Sequence, residues 1–281
     1  MNYMHEYIEF YSNKYNLETA AVKKSFKKSS EVFGDGGWNG GEFGELTDTM
    51  YKAMQWKYLA KEKNSSFFSD DGVDFMKCYD YMQDLDLMRM LSYSLSLNNL
   101  VMKNNVQIFV ENLIDKYKNS NDLDEINVVD YGCGLAYWTI AICKSLIKKD
   151  IPVKLTLIDL YRKSFVEFLD YLCEKRKINY EFKEVKHNEL IPKIPECDYA
   201  HIMAVLEHTS EPVKIVESIV DSIRDGGIIF GTFYDDPFED FEHISYDLSG
   251  ARNILENNKK YNIENLGSYW NEETTVYQVF K

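Results

Sequence analysis

The sequence predicts an α/β fold in which a mostly parallel sheet follows a long helical region. After residue 126, short runs rich in β-branched residues alternate with longer amphipathic segments, which is typical of parallel strands joined by helices. The last two runs are separated only by residues 271–273, so they predict an antiparallel hairpin. Residues 1–125 show no such alternation, and their patterns favour helices.

The N-terminal region is predicted to contain helices and one glycine-rich loop. We expect helices at residues 3–13, 17–28, 46–63 and 74–117, the last broken near 98–99. The loop at 34–44 carries acidic residues and lacks the Lys-Ser/Thr pair of a phosphate-binding P-loop. We therefore interpret it as a surface loop or an active-site lid.

The second part of the chain is predicted to alternate strands and helices in order. The expected strands are 126–131, 153–159, 180–185, 199–205 and 227–233, followed by the hairpin strands 261–270 and 274–280. The expected helices are 138–149, 162–177, 212–224 and 249–260. Thr209 or Ser210 should cap the helix at 212–224, and the glycines at 226–227 should end it.

The composition limits the partners and the compartment. The 32 Lys and Arg against 46 Asp and Glu give a net charge of -14, so we expect neither nucleic acid nor an anionic membrane as the main partner. The five cysteines form no CxxC pair, and there is neither a signal-peptide pattern nor a run of 18 apolar residues. We therefore expect a cytoplasmic protein, and the Lys-, Asn-, Ile- and Tyr-rich usage suggests an AT-rich bacterial genome.

The most informative motif is Asp-Tyr-Gly-Cys-Gly at 130–134, which joins a buried strand to a helix. Its glycines allow a sharp turn and a close approach of a ligand to the backbone. Asp130 would repel a phosphate but can accept from an ammonium group, and Tyr137 stands where a dinucleotide fingerprint needs its third glycine. Asp159, at the end of the second strand, can accept both hydroxyls of a ribose. The predicted ligand is therefore a nucleoside with a cationic, phosphate-free tail.

With three later features, this motif resembles class I S-adenosylmethionine-dependent methyltransferases. The features are the Ile-Asp-Leu end of the second strand, the Val-Leu-Glu-His turn at 205–208 and the Gly-Gly pair that opens the fifth strand. The resemblance covers residues 126–281 and implies a Rossmann-like, seven-stranded sheet of order 3-2-1-4-5-7-6 with a reversed final hairpin. Residues 1–125 are then predicted to form a helical cap that helps to bind the substrate.

The resemblance also implies a site for S-adenosylmethionine and its product, S-adenosylhomocysteine. Asp130 and the glycine loop would meet the methionine moiety, Asp159 would hold the ribose and Leu160 would pack on the adenine. Asn188 stands near the place where the family often carries an acid for the adenine amino group, and Ala136 replaces a common third glycine. The complete predicted donor-binding set is Asp130, Tyr131, Gly132, Gly134, Asp159, Leu160, Asn188 and Ala204.

Methyl transfer from an activated donor needs alignment, exclusion of water and, for a hydroxyl acceptor, a general base. His208, after the fourth strand, is the first candidate for that base, and His243 and Asp235 in the acidic insertion after the fifth strand are the others. The insertion could instead hold a divalent metal. However, residues 203–205 lack the extra acid of metal-dependent O-methyltransferases, so we expect no metal.

The enclosed architecture favours a small-molecule acceptor, and our hypothesis is O-methylation of a polar metabolite such as a nucleotide-linked or capsular sugar. N-methylation of a small amine, a NAD-dependent oxidoreductase and a catalytically silent methyltransferase-like subunit remain alternatives, and a homodimer is left open. Individual residues also have structural alternatives: Asp130 could cap the next helix, Tyr131 and Trp138 could only pack, Cys133 could fill space, and the turn that contains His208 could be structural.

Overall fold

The computed structural model describes most of the chain after residue 99 and a few residues before it. The described residues are 6, 9–10, 12–13, 19–20, 68–69, 72–73, 100–120, 123–161, 163–185, 191–235, 245, 247–268 and 274–281. They fall into two compact units, of which the first comprises residues 1–99 and 162–172 and the second residues 100–161 and 173–281.

The first unit combines helical residues with a small β-ribbon. Residues 6, 9–10 and 12–13 are helical, as predicted, and the ring of Phe10 packs edge-on against Phe168 with centroids 5.0 Å apart. Phe68–Ser69 pairs antiparallel with Gly72–Val73, in a region for which the sequence predicted no strand. The glycine-rich loop at 34–44 and the helix predicted at 46–63 lie outside the described residues.

The second unit is built on a seven-stranded sheet. The strands are β1 (Ile126–Tyr131), β2 (Val153–Asp159), β3 (Asn179–Glu184), β4 (Cys197–Ile202), β5 (Ile223–Thr232), β6 (Asn262–Ser268) and β7 (Thr274–Phe280). The main helices from residue 100 onward are α1 (Leu100–Asn119), α2 (Tyr137–Ile147), α3 (Lys163–Arg176), α4 (Pro212–Ser222) and α5 (Ser249–Glu256).

The strands lie in the order β3-β2-β1-β4-β5-β7-β6. β1 to β5 are parallel, and β7 runs antiparallel between β5 and β6. This arrangement confirms the predicted Rossmann-like α/β fold and its strand order. None of the helices in the described part of the chain is long and apolar enough to cross a membrane.

Burial of both faces explains why β1 was located without a shift. Val128 and Val129 point to opposite faces of the sheet, yet each is at most 1 % exposed. On one face, a core cluster joins β1, β4, β5 and β7 to α4 and α5. On the other, Phe109 of α1 packs against Tyr199 and Phe230, with ring centroids 5.5 and 5.0 Å away. Helix α1 therefore belongs to the sheet-bearing unit, while the predicted role of residues 1–125 as a cap stays a prediction.

Helix α4 begins at residue 212 as predicted, but its predicted capping residue is wrong and it ends two residues earlier than predicted. Glu211 is its N-cap residue and no side chain caps the helix, because the Thr209 hydroxyl donates to the carbonyl of Leu206 instead. The helix ends at Ser222, before the glycines, because the next residue, Ile223, is fully buried and pairs with Cys197 of β4. Burial in the sheet therefore overrides the local glycine signal.

Candidate functional site

The candidate site lies where the direction of strand connection reverses. From β1 the chain continues to β2 on one side, whereas from β4, the other neighbour of β1, it continues to β5 on the opposite side. In open α/β sheets, ligands bind in the crevice outside the carboxyl ends of the strands at such a point. The predicted residues after β1, β2, β4 and β5 that the structure describes are all at this edge.

The loop after β1 requires glycine for two reasons. Gly132 and Gly134 have φ angles of 68° and 47°, in the left-handed region that strains other residues. A Cβ built on Gly132 would also lie 2.6 Å from Cγ1 of Val205, so the loops after β1 and β4 are in close contact. The Gly132 amide donates to the carbonyl of Ile158 at 2.7 Å, which binds this loop to β2 as well.

Two alanines at the same edge also have left-handed backbones. Ala136, the N-cap residue of α2, has φ 51°, and Ala204, just after β4, has φ 50°. The Ala204 amide donates to Oγ1 of Thr232 at 3.2 Å, which connects the ends of β4 and β5. Such conformations store about 1–3 kcal/mol each and are often found at functional sites.

Asp130 is almost completely buried beneath the glycine loop, with 2 % of its surface exposed. The hydroxyl of Thr139 donates to its Oδ2 at 2.6 Å. Burial raises the pKa of Asp130 to about 8, against the effect of the Thr139 hydrogen bond and with a further increase from Asp159. The partner is a side-chain hydroxyl rather than a helix amide, so Asp130 does not act as the cap of α2.

Asp159 is held by backbone amides from two directions. Its Oδ2 accepts from the amide of Gly134 and its Oδ1 from the amide of Leu160, both at 2.7 Å. The next two side chains, Leu160 and Tyr161, are large and 46 % and 50 % exposed. The Tyr161 ring rests edge-on near Phe182, at 6.5 Å between centroids. A fixed carboxylate beside an exposed apolar surface suits a nucleoside, because one end of a nucleoside is a diol and the other an aromatic base.

The structure places other predicted residues less directly. Tyr131 is buried in the core cluster on the α4 and α5 face, and burial raises its pKa to about 12. Asn188 lies outside the described residues, as does His243.

Sequence reasoning missed Thr139 and Tyr161. A bulky aromatic two residues after the strand-end carboxylate was the available signal for Tyr161, but nothing in the sequence marked Thr139.

The candidate bases differ in their surroundings. His208 ends a single turn of 3₁₀ helix, Leu206–His208, and is exposed. Asp235 accepts from the Leu248 amide at 2.7 Å through Oδ1 and pairs with Arg252 at 3.4 Å through Oδ2. Asp235 therefore anchors α5, through Oδ1 at the residue before the helix and through Oδ2 at Arg252 within it.

Ser245, which follows the acidic insertion in the chain, contacts the turn that contains the candidate base. The Ser245 amide donates to the carbonyl of Glu207 at 2.9 Å, and its hydroxyl donates to the carbonyl of Thr209 at 2.6 Å. Ser245 is therefore held against the turn that contains His208. Within the described ranges, no three His, Cys, Asp or Glu side chains are grouped closely enough to hold a metal ion. The expectation that no metal takes part stays a prediction.

Comparison with known proteins adds a family match. A family model described as "Methyltransferase domain" matches residues 104–279. No curated protein matches the chain.

Several solved structures are similar to this chain at low identity. The citrinin polyketide synthase CMeT domain is 15 % identical with a TM-score of 0.46, covering 62 % of this chain and 52 % of that one. The N-methyltransferase NodS from Bradyrhizobium japonicum WM9 is 12 % identical with a TM-score of 0.46, covering 72 % and 100 %. A SAM-dependent methyltransferase from Aquifex aeolicus is 16 % identical with a TM-score of 0.41, covering 61 % and 89 %. The match spans about half the length of the citrinin synthase chain.

Proposed function

This chain belongs to the methyltransferase-domain family, and we propose that it transfers a methyl group from S-adenosylmethionine to a hydroxyl group of a polar small molecule. The family match and the strand order confirm the predicted class, an S-adenosylmethionine-dependent methyltransferase with the class I fold, and the predicted cofactor. The acceptor, the methylated atom and the residue roles are the proposed part.

The donor half of the proposal is carried by the fixed carboxylate of Asp159 beside the exposed Leu160 and Tyr161. A carboxylate offers about four acceptor positions, so one side chain can bind backbone amides and ribose hydroxyls together, and we assign both roles to Asp159. Leu160 and Tyr161 cover the adenine, and Gly132 and Gly134 let the methionine moiety lie against the backbone.

The chemistry comes from the donor, and the protein positions the reactants. When bound, S-adenosylmethionine supplies a methyl group on a positively charged sulfur, which the acceptor displaces in line. His208 stands at the edge of the sheet where the acceptor must approach, and its imidazole takes the proton of an acceptor hydroxyl. Asp235 is better suited to hold α5 in place, because both of its oxygens already accept hydrogen bonds from Leu248 and Arg252. His243 remains the second candidate base.

The proposed acceptor follows from the charge of the protein and from the chemistry of the candidate base. A charge of -14 disfavours nucleic acid, so a small polar metabolite, such as a nucleotide-linked or capsular sugar, is the proposed acceptor. A hydroxyl acceptor uses a general base, and a histidine is the commonest side chain in that role.

Two experiments test the proposal. Calorimetric titration should show binding of S-adenosylhomocysteine and S-adenosylmethionine but not of NAD, and binding of NAD alone would overturn the donor assignment. Incubation of the protein with bacterial metabolite extract and methyl-labelled donor should place the label in the fraction of polar small molecules that are neutral or anionic. Label in small cationic amines would instead establish N-methylation, and donor binding without any transfer would establish a silent subunit.

A further inference from the structure

Thr139, near the start of α2, lies between two hydrogen-bond acceptors. Its Oγ1 is 2.6 Å from Oδ2 of Asp130 and 3.1 Å from the carbonyl oxygen of Ala136. A hydroxyl group carries a single proton and can donate to only one of these acceptors at a time. The side chain is fully buried, so no solvent rearrangement supplies a second donor.

We propose that Thr139 is a positioning residue of the donor site, whose hydroxyl switches between Ala136 and Asp130 so that binding of a cationic nucleoside ionises Asp130 and releases one proton. The inference rests on the proposed function, because its ligands are S-adenosylmethionine and S-adenosylhomocysteine, which share an ammonium group. It goes further by assigning a role to Thr139 and a proton to the binding step.

The two hydrogen-bond arrangements account for every proton. When Asp130 is neutral, its carboxyl proton is donated to Oγ1 of Thr139, and the Thr139 proton is donated to the Ala136 carbonyl. When Asp130 is ionised, its proton has left for water and Thr139 donates to the carboxylate. The Ala136 carbonyl also accepts from the Ile140 amide at 2.9 Å, so it keeps a partner when Thr139 turns away.

The surroundings of Asp130 favour its neutral form in the absence of a ligand. Burial raises its pKa to about 8, and Asp159, a charge of the same sign at the end of β2, raises it further. Among its neighbours, His201 is paired with Asp130 in the register of β1 and β4, and burial lowers the pKa of His201 to about 3.

The other ionisable groups around Asp130 carry no charge near neutral pH. Tyr199 on β4 and Cys143 on α2 both feel the charge of Asp130, and burial raises the pKa of each well above its usual value. Both therefore stay neutral near neutral pH, as His201 does. A cation brought by the ligand is the missing partner, because an opposite charge within about 4–6 Å favours the ionised carboxylate.

Calorimetry in pairs of buffers with different heats of ionisation counts the protons released. For wild-type protein, we expect about one proton per S-adenosylhomocysteine at pH 6.5 and about half a proton at pH 8. The dissociation constant should rise about tenfold for each pH unit below 7, because Asp130 must lose its proton before the ligand binds. Binding without proton release would overturn the inference and leave the donor assignment intact, whereas no binding at all would overturn the proposed function.

Three variants separate this role from a structural one. Thr139→Val removes the hydroxyl, so the affinity for S-adenosylhomocysteine at pH 7 should fall about tenfold and the midpoint of the pH profile should move upward. Thr139→Ser should restore both. Thr156→Val, which removes a buried hydroxyl that donates to Glu181 on β3, should keep the wild-type profile. A wild-type profile in folded Thr139→Val overturns the inference, and if that variant does not fold, the wild-type proton count decides.

Discussion

The backbone amide of Gly134 donates a 2.7 Å hydrogen bond to Oδ2 of Asp159. This contact joins the loop after β1 to the end of β2, and the Leu160 amide fixes the other carboxylate oxygen. These hydrogen bonds fix the two strand ends relative to each other. Such preorganisation lowers the entropic penalty of binding, because the loop and the carboxylate are already ordered.

Asp159→Asn should separate the shape of this side chain from its charge. Asparagine retains one acceptor oxygen but turns an NH₂ group toward a backbone amide, so one contact is lost and the ribose loses a charged acceptor. We expect the dissociation constant for S-adenosylhomocysteine to rise about 10- to 100-fold, by calorimetry. Glu217→Gln, which changes an exposed carboxylate on α4, is the matched control. Unchanged affinity in Asp159→Asn would remove Asp159 from the ribose site.

Gly132→Ala should destabilise the fold more than Gly226→Ala does. The two glycines have φ angles of 68° and 69°, so alanine meets similar backbone strain of about 1–2 kcal/mol at both positions. Only Gly132 also faces a side chain, that of Val205, while a Cβ on Gly226 would meet nothing within 4 Å. The clash should add about 1–3 kcal/mol to the loss in the free energy of unfolding, measured with urea. Equal losses in the two variants would show that the loops after β1 and β4 do not press on each other.

Asp198 should be a main source of stability at the amino edge of the sheet, far from the candidate site. Its fully buried carboxylate pairs with Lys116 and Arg224, each at 3.1 Å, and accepts from the Asn127 amide. We expect Asp198→Asn to lower the free energy of unfolding by about 2–4 kcal/mol, because it leaves two cations poorly paired.

A matched control exists for that variant. Asp221 pairs with Lys260 at 2.8 Å, but both side chains are more than half exposed. Asp221→Asn should therefore change the free energy of unfolding by no more than about 1 kcal/mol. Both variants should bind S-adenosylhomocysteine with wild-type affinity. If Asp198→Asn weakened binding while remaining folded, the two ends of the sheet would be coupled.

The sequence predicted β1 and β2 without shifts and the start of β5 wrongly, and the reason is physical. Central parallel strands bury both faces, so their apolar runs are continuous and end at a polar residue such as Asp159. The start of β5 depends instead on the pairing of Ile223 with Cys197, two residues that are distant in the chain. A local signal such as Gly226 carries no information about that pairing.

The candidate site divides in the same way. Glycines directly after a strand and a carboxylate at a strand end can be recognised in the sequence. Gly132, Gly134 and Asp159 were predicted from these patterns. The pairing of Thr139 with Asp130 has no such pattern, because a threonine near the start of a helix is common. Its partner is set by the packing of α2 on the sheet. The environment of Asp235 was equally hidden, since it depends on α5.

His208→Ala should lower methyl transfer without weakening donor binding. Loss of a general base reduces turnover by about 10²- to 10⁴-fold, whereas S-adenosylhomocysteine does not need that base. We expect the calorimetric affinity to stay at the wild-type value and the rate of label transfer to fall. His243→Ala is the parallel variant, and a fall in rate there with unchanged turnover in His208→Ala would assign the base to the insertion.

Asp130 and His201 should give the stability of the protein opposite dependences on pH. The pKa of Asp130 is raised to about 8, so the folded state keeps a proton that the unfolded chain has lost above about pH 3.9, and stability falls as pH rises through 8. The pKa of His201 is lowered to about 3, so its stabilising effect grows as pH rises toward about 6.5. The two effects offset each other between about pH 4 and 6.5, and only Asp130 acts between about pH 6.5 and 8.

Between about pH 6.5 and 8, the pH dependence of stability therefore reports the ionisation of Asp130 alone. We expect the free energy of unfolding of wild-type protein, measured with urea, to fall by about 1.5 kcal/mol between pH 6.5 and 8. Asp130→Asn should not show this fall, because its amide stays neutral at every pH in the range. An equal fall in the variant would assign the dependence to other groups and would place the Asp130 carboxyl in its ionised form at neutral pH.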